Sequence, residues 1–435
     1  MVEIQPLKGF RDYGPEEMMV RERMIAKVRT VFESFGYMPI HTPALEYAEI
    51  LLGKYGDEGE KLLYKFQDAG GRTVALRYDL TVPLARFVAS HPELKFPFRR
   101  YHIAPVWRAE KPQKGRFREF YQCDVDLVGV DSPQADAECL LVDSAVLRGL
   151  GMKEFHIFVN HRQFLDGLLE SVGIEGKGAV STLRILDKVD KITPAEMEAL
   201  LLASGLGADS VKRLLALAQV SGSIEERLGQ ALALAGNHPK AKAGLERLGQ
   251  VLDIVSQADP DAPICFSPAT ARGLDYYTGI VYETFLPAEY GVGSVMSGGR
   301  YDTLLGMFTG TTIPAVGISL GIDRLVAALG SRGETERVRS ADVLVMCMPG
   351  GAGRSMAVAT ALRNAGLRAE LYPDEARLKK QFEYADRKGI GFAVVPGDDE
   401  WKNGQVTLKD LSGGAQSLVA VPELATRLIG MLGPR

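Results

Sequence analysis

Apolar residues recur at helical spacing near the start of the chain. Met18, Ile25, Val28, Val31, Phe32 and Phe35 predict a helix over residues 15–36. Pro15 suits its first turn, and Glu16 and Glu17 lie near the positive end of its dipole. Gly36 stops it. The next stretch, Y-M-P-I-H-T-P-A-L-E, reads as extended chain, because a proline disfavours helix in the residue before it. From Tyr64 to Val130 the pattern alternates as antiparallel strands do. L-Y-K-F-Q-D, the turn A-G-G-R and T-V-A-L-R-Y-D form a hairpin signature. A short helix is expected over 81–91. R-R-Y-H-I-A-P-V-W-R-A and R-E-F-Y-Q-C-D-V-D-L-V-G read as two strands joined by the polar loop E-K-P-Q-K-G-R-F. Residues 132–150 predict a helix capped by Ser132 and opened by Pro133.

Beyond this the texture changes. Residues 175–258 are rich in Ala, Leu, Lys and Glu and poor in aromatics. Thr193-Pro-Ala-Glu196 and Ser223-Ile-Glu-Glu226 are capping-box starts, so an all-helical inserted module is expected. Strand signals return over 263–329, followed by a helix near Ile322–Leu329. A polar linker begins at Ser331. Strand and helix then alternate: D-V-L-V-M-C-M-P, a helix over 354–365, A-E-L-Y-P, a helix over 378–388, F-A-V-V-P-G and a last helix after Pro422. That alternation predicts a small, largely parallel sheet with helices on its faces.

The 435 residues suffice for two or three domains, and 46% hydrophobic with 24% charged content is ordinary for a globular chain. No apolar run is long enough to span a membrane, and the N-terminus lacks a signal core. Cytoplasmic residence is the expectation. Cys123, Cys139, Cys265 and Cys347 lie far apart, and the histidines lack H-x-x-x-H spacing, so no protein-ligated metal is expected. The net charge of −4 excludes a general polycation. Locally the balance differs: between Lys95 and Arg118 there are eight Lys/Arg against one acid, Glu110. Such a field suits phosphate, or else marks a solvated basic loop.

Neither a Walker loop nor an early strand–G-x-G-x-x-G–helix unit occurs. A nucleotide would therefore sit on an antiparallel sheet among side-chain cations. Arg108, Arg116 and Arg118 flank the hairpin loop, and Arg324 opens a helix. Phe120 offers a stacking face. In R-G-L-D-Y-Y-T-G, residues 272–279, Arg272 stands among small residues near the start of a strand; it either pairs with Asp275 or meets an anionic ligand. Asp79 ends a predicted strand. Asp124 and Asp126 share one face of another, and a buried acid of this kind pairs with an ammonium or accepts from a heterocyclic N–H.

These segments resemble the histidyl-tRNA synthetase family, within class II of the aminoacyl-tRNA synthetases, over nearly the whole chain. F-G-Y-M-P-I-H-T-P-A-L-E is similar to the dimer-forming motif 1, with Pro43 at its proline. V-W-R-A-E-K-P-Q-K-G-R-F-R-E-F-Y-Q-C-D-V-D resembles motif 2, and G-I-S-L-G-I-D-R-L resembles motif 3, with Arg324 as its arginine. R-G-L-D-Y-Y-T-G and S-G-G-R-Y-D resemble the two histidine-specific motifs. The implied fold is an α+β catalytic domain over 1–330, with a mainly antiparallel sheet flanked by helices and a helical insertion over about 175–258. An α/β anticodon-binding domain would follow over 340–435.

The resemblance also implies site roles. Arg272 would reach the α-phosphate of ATP and the histidine carboxylate, and Arg108 the α-phosphate. Glu110, Arg116, Phe120 and Arg324 would complete the ATP site. Asp79, Thr81 and Gln122 would hold the α-ammonium of L-histidine; Asp126, Tyr276 and Tyr277 would surround the imidazole. Implied partners are ATP with Mg²⁺, tRNA(His) and a second copy in a homodimer formed through motif 1. The R-Y-D-L-T segment resembles the eukaryote-like branch. The closest alternative is the regulatory subunit of ATP phosphoribosyltransferase, which resembles the same core without ligase activity. Arg272, the paired tyrosines and the C-terminal domain speak against it.

Overall fold

A computed structural model describes residues 4–112, 117–186, 192–271, 276–332 and 339–433. The chain divides into two compact units, residues 1–13 with 20–335, and residues 14–19 with 336–435.

Chain order explains the first unit. Helix α1 (Pro15–Ser34) buries Ile25, Val28 and Phe32 of the expected stripe, with Met24 beside them. The extended segment then splits between two sheets: β1 (Met38–Pro39) joins the large one, and β2 (Leu45–Tyr47) joins β3 (Lys65–Gln67) and β4 (Thr73–Leu76) in a small one. Helix α2 (Thr81–Ala89) precedes the two long strands, β5 (Phe98–Trp107) and β6 (Glu119–Val128). Helix α3 (Pro133–Gly149) has the expected Ser132 cap, whose side chain accepts from the Ala135 N–H.

Next come β7 (His156–His161) and α4 (Arg162–Ser171), neither of which the sequence pattern indicated. The helical segment follows: α5 (Gly176–Leu186), α6 (Pro194–Ala203), α7 (Ala208–Leu215), α8 (Ile224–Leu234) and α9 (Pro239–Ala258). Both expected capping boxes are present, Thr193 with Glu196 and Ser223 with Glu226. The last helix is more than an appendage. Gly167 of α4 lies against the α9 backbone, where an added Cβ would stand 2.5 Å from the Ala241 nitrogen. Leu245, Leu248 and Val251 of α9 share one core with α1, α3 and the sheet.

The unit closes with β8 (Ile264–Phe266), β9 (Ile280–Phe285), β10 (Met296–Arg300), β11 (Ala315–Gly321) and α10 (Ile322–Arg332). The large sheet runs β1-β5-β6-β11-β10-β9-β7-β8. It is antiparallel except at its two edges, β1 with β5 and β7 with β8. Register is what builds the site. Across β5 and β6, Arg100 faces Asp126, His102 faces Asp124 and Ala104 faces Gln122. Across β6 and β11, Gly317 faces Asp126, Ser319 faces Asp124 and Gly321 faces Gln122. Side chains two apart share a face. The polar set therefore lines one side of the sheet, while Tyr101, Cys123, Val125 and Leu127 enter the helix-covered core on the other.

The second unit holds β12 (Val343–Val345), α11 (Ala352–Asn364), β13 (Ala369–Leu371), α12 (Leu378–Arg387), β14 (Phe392–Val395), β15 (Gln405–Asp410), β16 (Gln416–Ala420) and α13 (Leu424–Leu432). Its sheet runs β13-β12-β14-β15-β16. Only the first three strands are parallel; β15 and β16 form an antiparallel hairpin. The expectation of a largely parallel sheet is corrected to that extent. The hairpin turn uses Gly414 at φ 73°, in the left-handed region open to glycine.

Candidate active site

The hairpin of β5 and β6 meets the junction of β11 and α10 at a cleft of about 100 Å³. From the hairpin come Arg108, Glu110, Phe117, Phe120 and Gln122; from the junction come Ser319, Asp323 and Arg324. Arg108 is held in place from behind. Its Nε donates to the Tyr78 carbonyl at 3.1 Å, and its guanidinium lies 4.2 Å from the Tyr78 ring and 5.1 Å from the Phe120 ring. Arg324 donates from Nη1 to the Ser294 carbonyl at 2.6 Å. Asp323 ties α10 to β6 by accepting from the Tyr121 N–H at 2.7 Å, and it pairs with the buried Arg21 at 3.2 Å. The cleft thus joins two cations across an aromatic face, an arrangement suited to a purine carrying phosphates. Arg116 lies outside the described residues, as does Arg272.

Next to this cleft is a group of buried polar side chains. Asp79 is 2% exposed. It does not end a strand: β4 stops at Leu76, and Asp79 caps α2, its Oδ1 accepting from the Thr81 and Val82 N–H groups and from Tyr55 Oη at 3.1 Å. Its Oδ2 is buried without a partner. Burial raises its pKa against these hydrogen bonds and Arg108, which lower it. Gln122 donates to Ser319 Oγ at 2.7 Å and leaves Oε1 buried without a partner. Buried polar groups are nearly always paired, so these two oxygens keep acceptor capacity for a further donor.

Asp126 has Arg100 2.6 Å from Oδ2 and accepts from Tyr301 Oη. Burial still raises its pKa. Asp124 is pushed up to about 7 by burial, which outweighs Arg100, with the Asp126 charge adding to the rise. The rings of Tyr276 and Tyr277 stand 5.0 Å apart, and Tyr276 is 5.9 Å from Tyr301. Burial raises both phenols, and neighbouring carboxylates add to it, Asp79 for Tyr276 and Asp126, Asp124 and Asp79 for Tyr277. They are neutral hydroxyls, able to donate and accept. Thr81 is within hydrogen-bonding reach of Tyr276.

Two glycines make room for this crowding. A Cβ on Gly317 would lie 2.0 Å from Asp126 Oδ1, and one on Gly299 would lie 2.9 Å from the Tyr277 ring. The glycine of G-I-S-L-G and the second glycine of S-G-G-R-Y-D are thereby explained by backbone approach. The arginine of the latter motif, Arg300, is structural: it is buried in an ion pair with Asp136 at 2.6 Å, and Arg247 of α9 shares that acid at 3.0 Å.

Ten of the expected site residues are described, and they gather here. Arg108, Glu110, Phe120, Gln122 and Arg324 line the cleft; Asp79, Thr81, Asp126, Tyr276 and Tyr277 belong to the buried group beside it. Sequence reading gave no role to Arg100, Tyr301, Tyr55, Tyr78, Ser319 or Asp323. A signal existed for Arg100: it stands two residues from His102 on one strand, as Asp124 stands two from Asp126 on the next. Among the described residues no group of three or more His, Cys, Asp or Glu is placed to hold a metal, and no helix is long and apolar enough to cross a membrane.

Comparison with known proteins agrees with the geometry. The family model for histidyl-tRNA synthetase matches residues 9–325, and that for an anticodon binding domain matches residues 342–431. The histidine–tRNA ligase of Rhodopirellula baltica is 45% identical over 421 residues, covering 95% of this chain and 94% of the relative. That of Wolinella succinogenes is 42% identical over 433 residues, covering 98% of both. Histidyl-tRNA synthetase from Nostoc superposes with a TM-score of 0.88 at 33% identity, covering 98% of this chain and 99% of that one. A Bacillus halodurans structure, described as an ATP phosphoribosyltransferase regulatory subunit/histidyl-tRNA synthetase, gives 0.76 at 24% identity over 88% of this chain and 97% of its own. The last shares the fold alone. On these grounds the chain belongs to the histidyl-tRNA synthetase family of class II aminoacyl-tRNA synthetases.

Proposed function

We propose that the chain is a histidine–tRNA ligase that makes histidyl-adenylate in the cleft between the β5–β6 hairpin and α10. The observation that carries this is the placement of Arg108, Phe120 and Arg324 around one cleft, with partnerless Asp79 and Gln122 oxygens beside it. Phe120 stacks on adenine, and Arg324 sits near the adenine and the γ-phosphate. Arg108 and Arg272 meet the α-phosphate, Arg116 the outer phosphates, and Glu110 belongs to the same ATP site. Asp79, Thr81 and Gln122 take the α-ammonium; Asp126, Tyr276 and Tyr277 read the imidazole. Mg²⁺ binds through few carboxylates plus substrate phosphates. Glu110 at the cleft fits that role, and the ion would supply charge neutralisation on the polyphosphate.

The chemistry follows from charge. The histidine carboxylate is already ionised, so its attack on the α-phosphorus requires no general base. Alignment and fixed positive charge lower the barrier as pyrophosphate leaves. The terminal ribose hydroxyl of tRNA(His) then attacks the acyl carbon and releases AMP. Selectivity arises because an amino acid lacking the ring nitrogens leaves buried polar groups unpaired, a discrimination of about 10⁴.

The same reading sets the catalytic domain at 1–330, with the insertion over about 175–258 on the tRNA acceptor stem, and the anticodon-binding domain at 340–435. It makes the enzyme a cytoplasmic homodimer joined through motif 1. The eukaryote-like branch rests on Arg77-Tyr-Asp-Leu-Thr81 and the loop E-K-P-Q-K-G-R-F, and the bacterial relatives compared above do not support it. The regulatory-subunit alternative gains only fold-level likeness. Removal of residues 340–435 tests the division of labour: pyrophosphate exchange should stay within about threefold of the full chain while tRNA(His) charging falls by about 10²-fold or more, the scale of several lost contacts. Equal loss in both assays would count against a separate anticodon domain.

A further inference from the structure

Resting on the ATP reading of the cleft, we propose that residues 7–13 form a strap that positions the ATP-binding hairpin, latched by Arg118 and anchored by Tyr13. The strap touches the cleft wall at three places. First, Arg118 bridges strap and hairpin. Its backbone N–H donates to the Gly9 carbonyl at 2.8 Å, its Nη1 to the Lys8 carbonyl at 3.0 Å and its Nε to the Glu110 carbonyl at 3.0 Å. Its own carbonyl accepts from the Arg108 N–H at 2.9 Å. One residue thus fixes the backbone of both Arg108 and Glu110. Second, the Arg11 guanidinium lies 4.3 Å from the ring of Phe117, a wall residue of the cleft, and 4.1 Å from that of Tyr13. Third, Tyr13 Oη donates to Asp323 Oδ1 at 2.8 Å, at the start of the helix that carries Arg324.

The strap is shaped for this seat. Gly9 has φ 89°, and a Cβ there would stand 2.7 Å from Arg118 Cδ and 2.9 Å from Pro112 Cγ. Phe10 sets its ring edge-on to Tyr64 at 6.1 Å. The strap therefore sits behind the ATP wall, where it restricts the hairpin and the α10 N-terminus without meeting substrate. Preorganisation of this kind acts on binding, because a loosened wall must be reordered when ligand enters. Arg118 and Tyr13 are positioning residues, acting through Glu110, Arg108 and Asp323.

Three variants test it: Arg118→Met, Tyr13→Phe and Arg118→Lys, the last keeping one donor of the fork. ATP affinity is read by calorimetry on the full chain, and KM for ATP and for histidine by pyrophosphate exchange. Losing two side-chain hydrogen bonds, about 1 kcal/mol each, predicts an ATP Kd raised about tenfold or more in Arg118→Met. About fivefold is expected in Tyr13→Phe and an intermediate value in Arg118→Lys, on the same scale. The KM for histidine should change less than about twofold and the Tm by less than about 3 °C. ATP affinity unchanged in both Arg118→Met and Tyr13→Phe overturns the proposal. So does a parallel loss of ATP affinity, histidine affinity and Tm, which a merely structural contact would give. Calorimetry keeps the test separate from the ligase reading: wild type that binds ATP but shows no histidine-dependent exchange defeats that reading and leaves the strap to be judged on Kd.

Discussion

Arg272→Ala is expected to lower histidine-dependent pyrophosphate exchange by about 10²–10³-fold, the scale for removing a group that stabilises transition-state charge. ATP binding should largely survive, because Arg108, Phe120 and Arg324 remain around the cleft. Arg272 itself lies outside the described residues, yet the chain on either side is firmly held. The fully buried Asn160, at the end of β7, donates from its amide to the carbonyls of Pro268 at 3.0 Å and Thr270 at 2.7 Å. On the far side the Arg162 N–H donates to the Gly279 carbonyl at 2.7 Å, and the Thr278 N–H to that of Arg300 at 2.8 Å. Exchange kinetics beside an ATP-binding isotherm will check this; activity near wild type would remove Arg272 from the mechanism.

The second large effect is expected at Arg100, fully buried and paired with Asp126 at 2.6 Å. Arg100→Met leaves that carboxylate buried with only the Tyr301 hydroxyl as a hydrogen-bond partner. Breaking one side of a buried ion pair costs about 3–5 kcal/mol, or a Tm drop of about 4–7 °C in a domain of this size. Exchange should fall with it, since a protonated Asp126 no longer offers a carboxylate to an imidazole N–H. The double variant Arg100→Met with Asp126→Leu separates the two effects. Removing both charges should restore most of the Tm and none of the activity. Scanning calorimetry with exchange rates reads both; a double variant that recovers activity would show that Asp126 does not read the substrate.

The parts of this enzyme legible in sequence are those fixed by short-range rules. The stripe of α1, the Ser132 cap, the capping boxes at Thr193 and Ser223 and the alternation around β5 and β6 are local patterns, and the structure contains them. β7 was missed because its six residues, H-I-F-V-N-H, carry too little alternation to stand out between two helices. The β15–β16 hairpin is hidden in the sequence because helix and strand alternate before it, and F-A-V-V-P-G with the helix after Pro422 continues that series. Asp79 was misplaced by one element: it reads as the end of a strand but caps α2, since carboxylate capping depends on where the backbone turns. Arg100 and Tyr301 gained meaning only through register. Arg100 meets Asp126 across β5 and β6, and Tyr301 reaches it from the far side of β11, contacts between residues 26 and 175 positions apart in sequence. No local window contains them. The cleft residues did emerge from sequence, because motif resemblance carries long-range information that periodicity lacks.

The proposed ligase chemistry depends on one cleft serving ATP and histidine together. Pyrophosphate exchange by the full chain, run in parallel with each of the amino acids, probes that union most directly. Histidine alone should drive exchange, at least about 10⁴-fold above the others. Exchange driven as well by threonine or proline, or absent with histidine while ATP still binds, would contradict it.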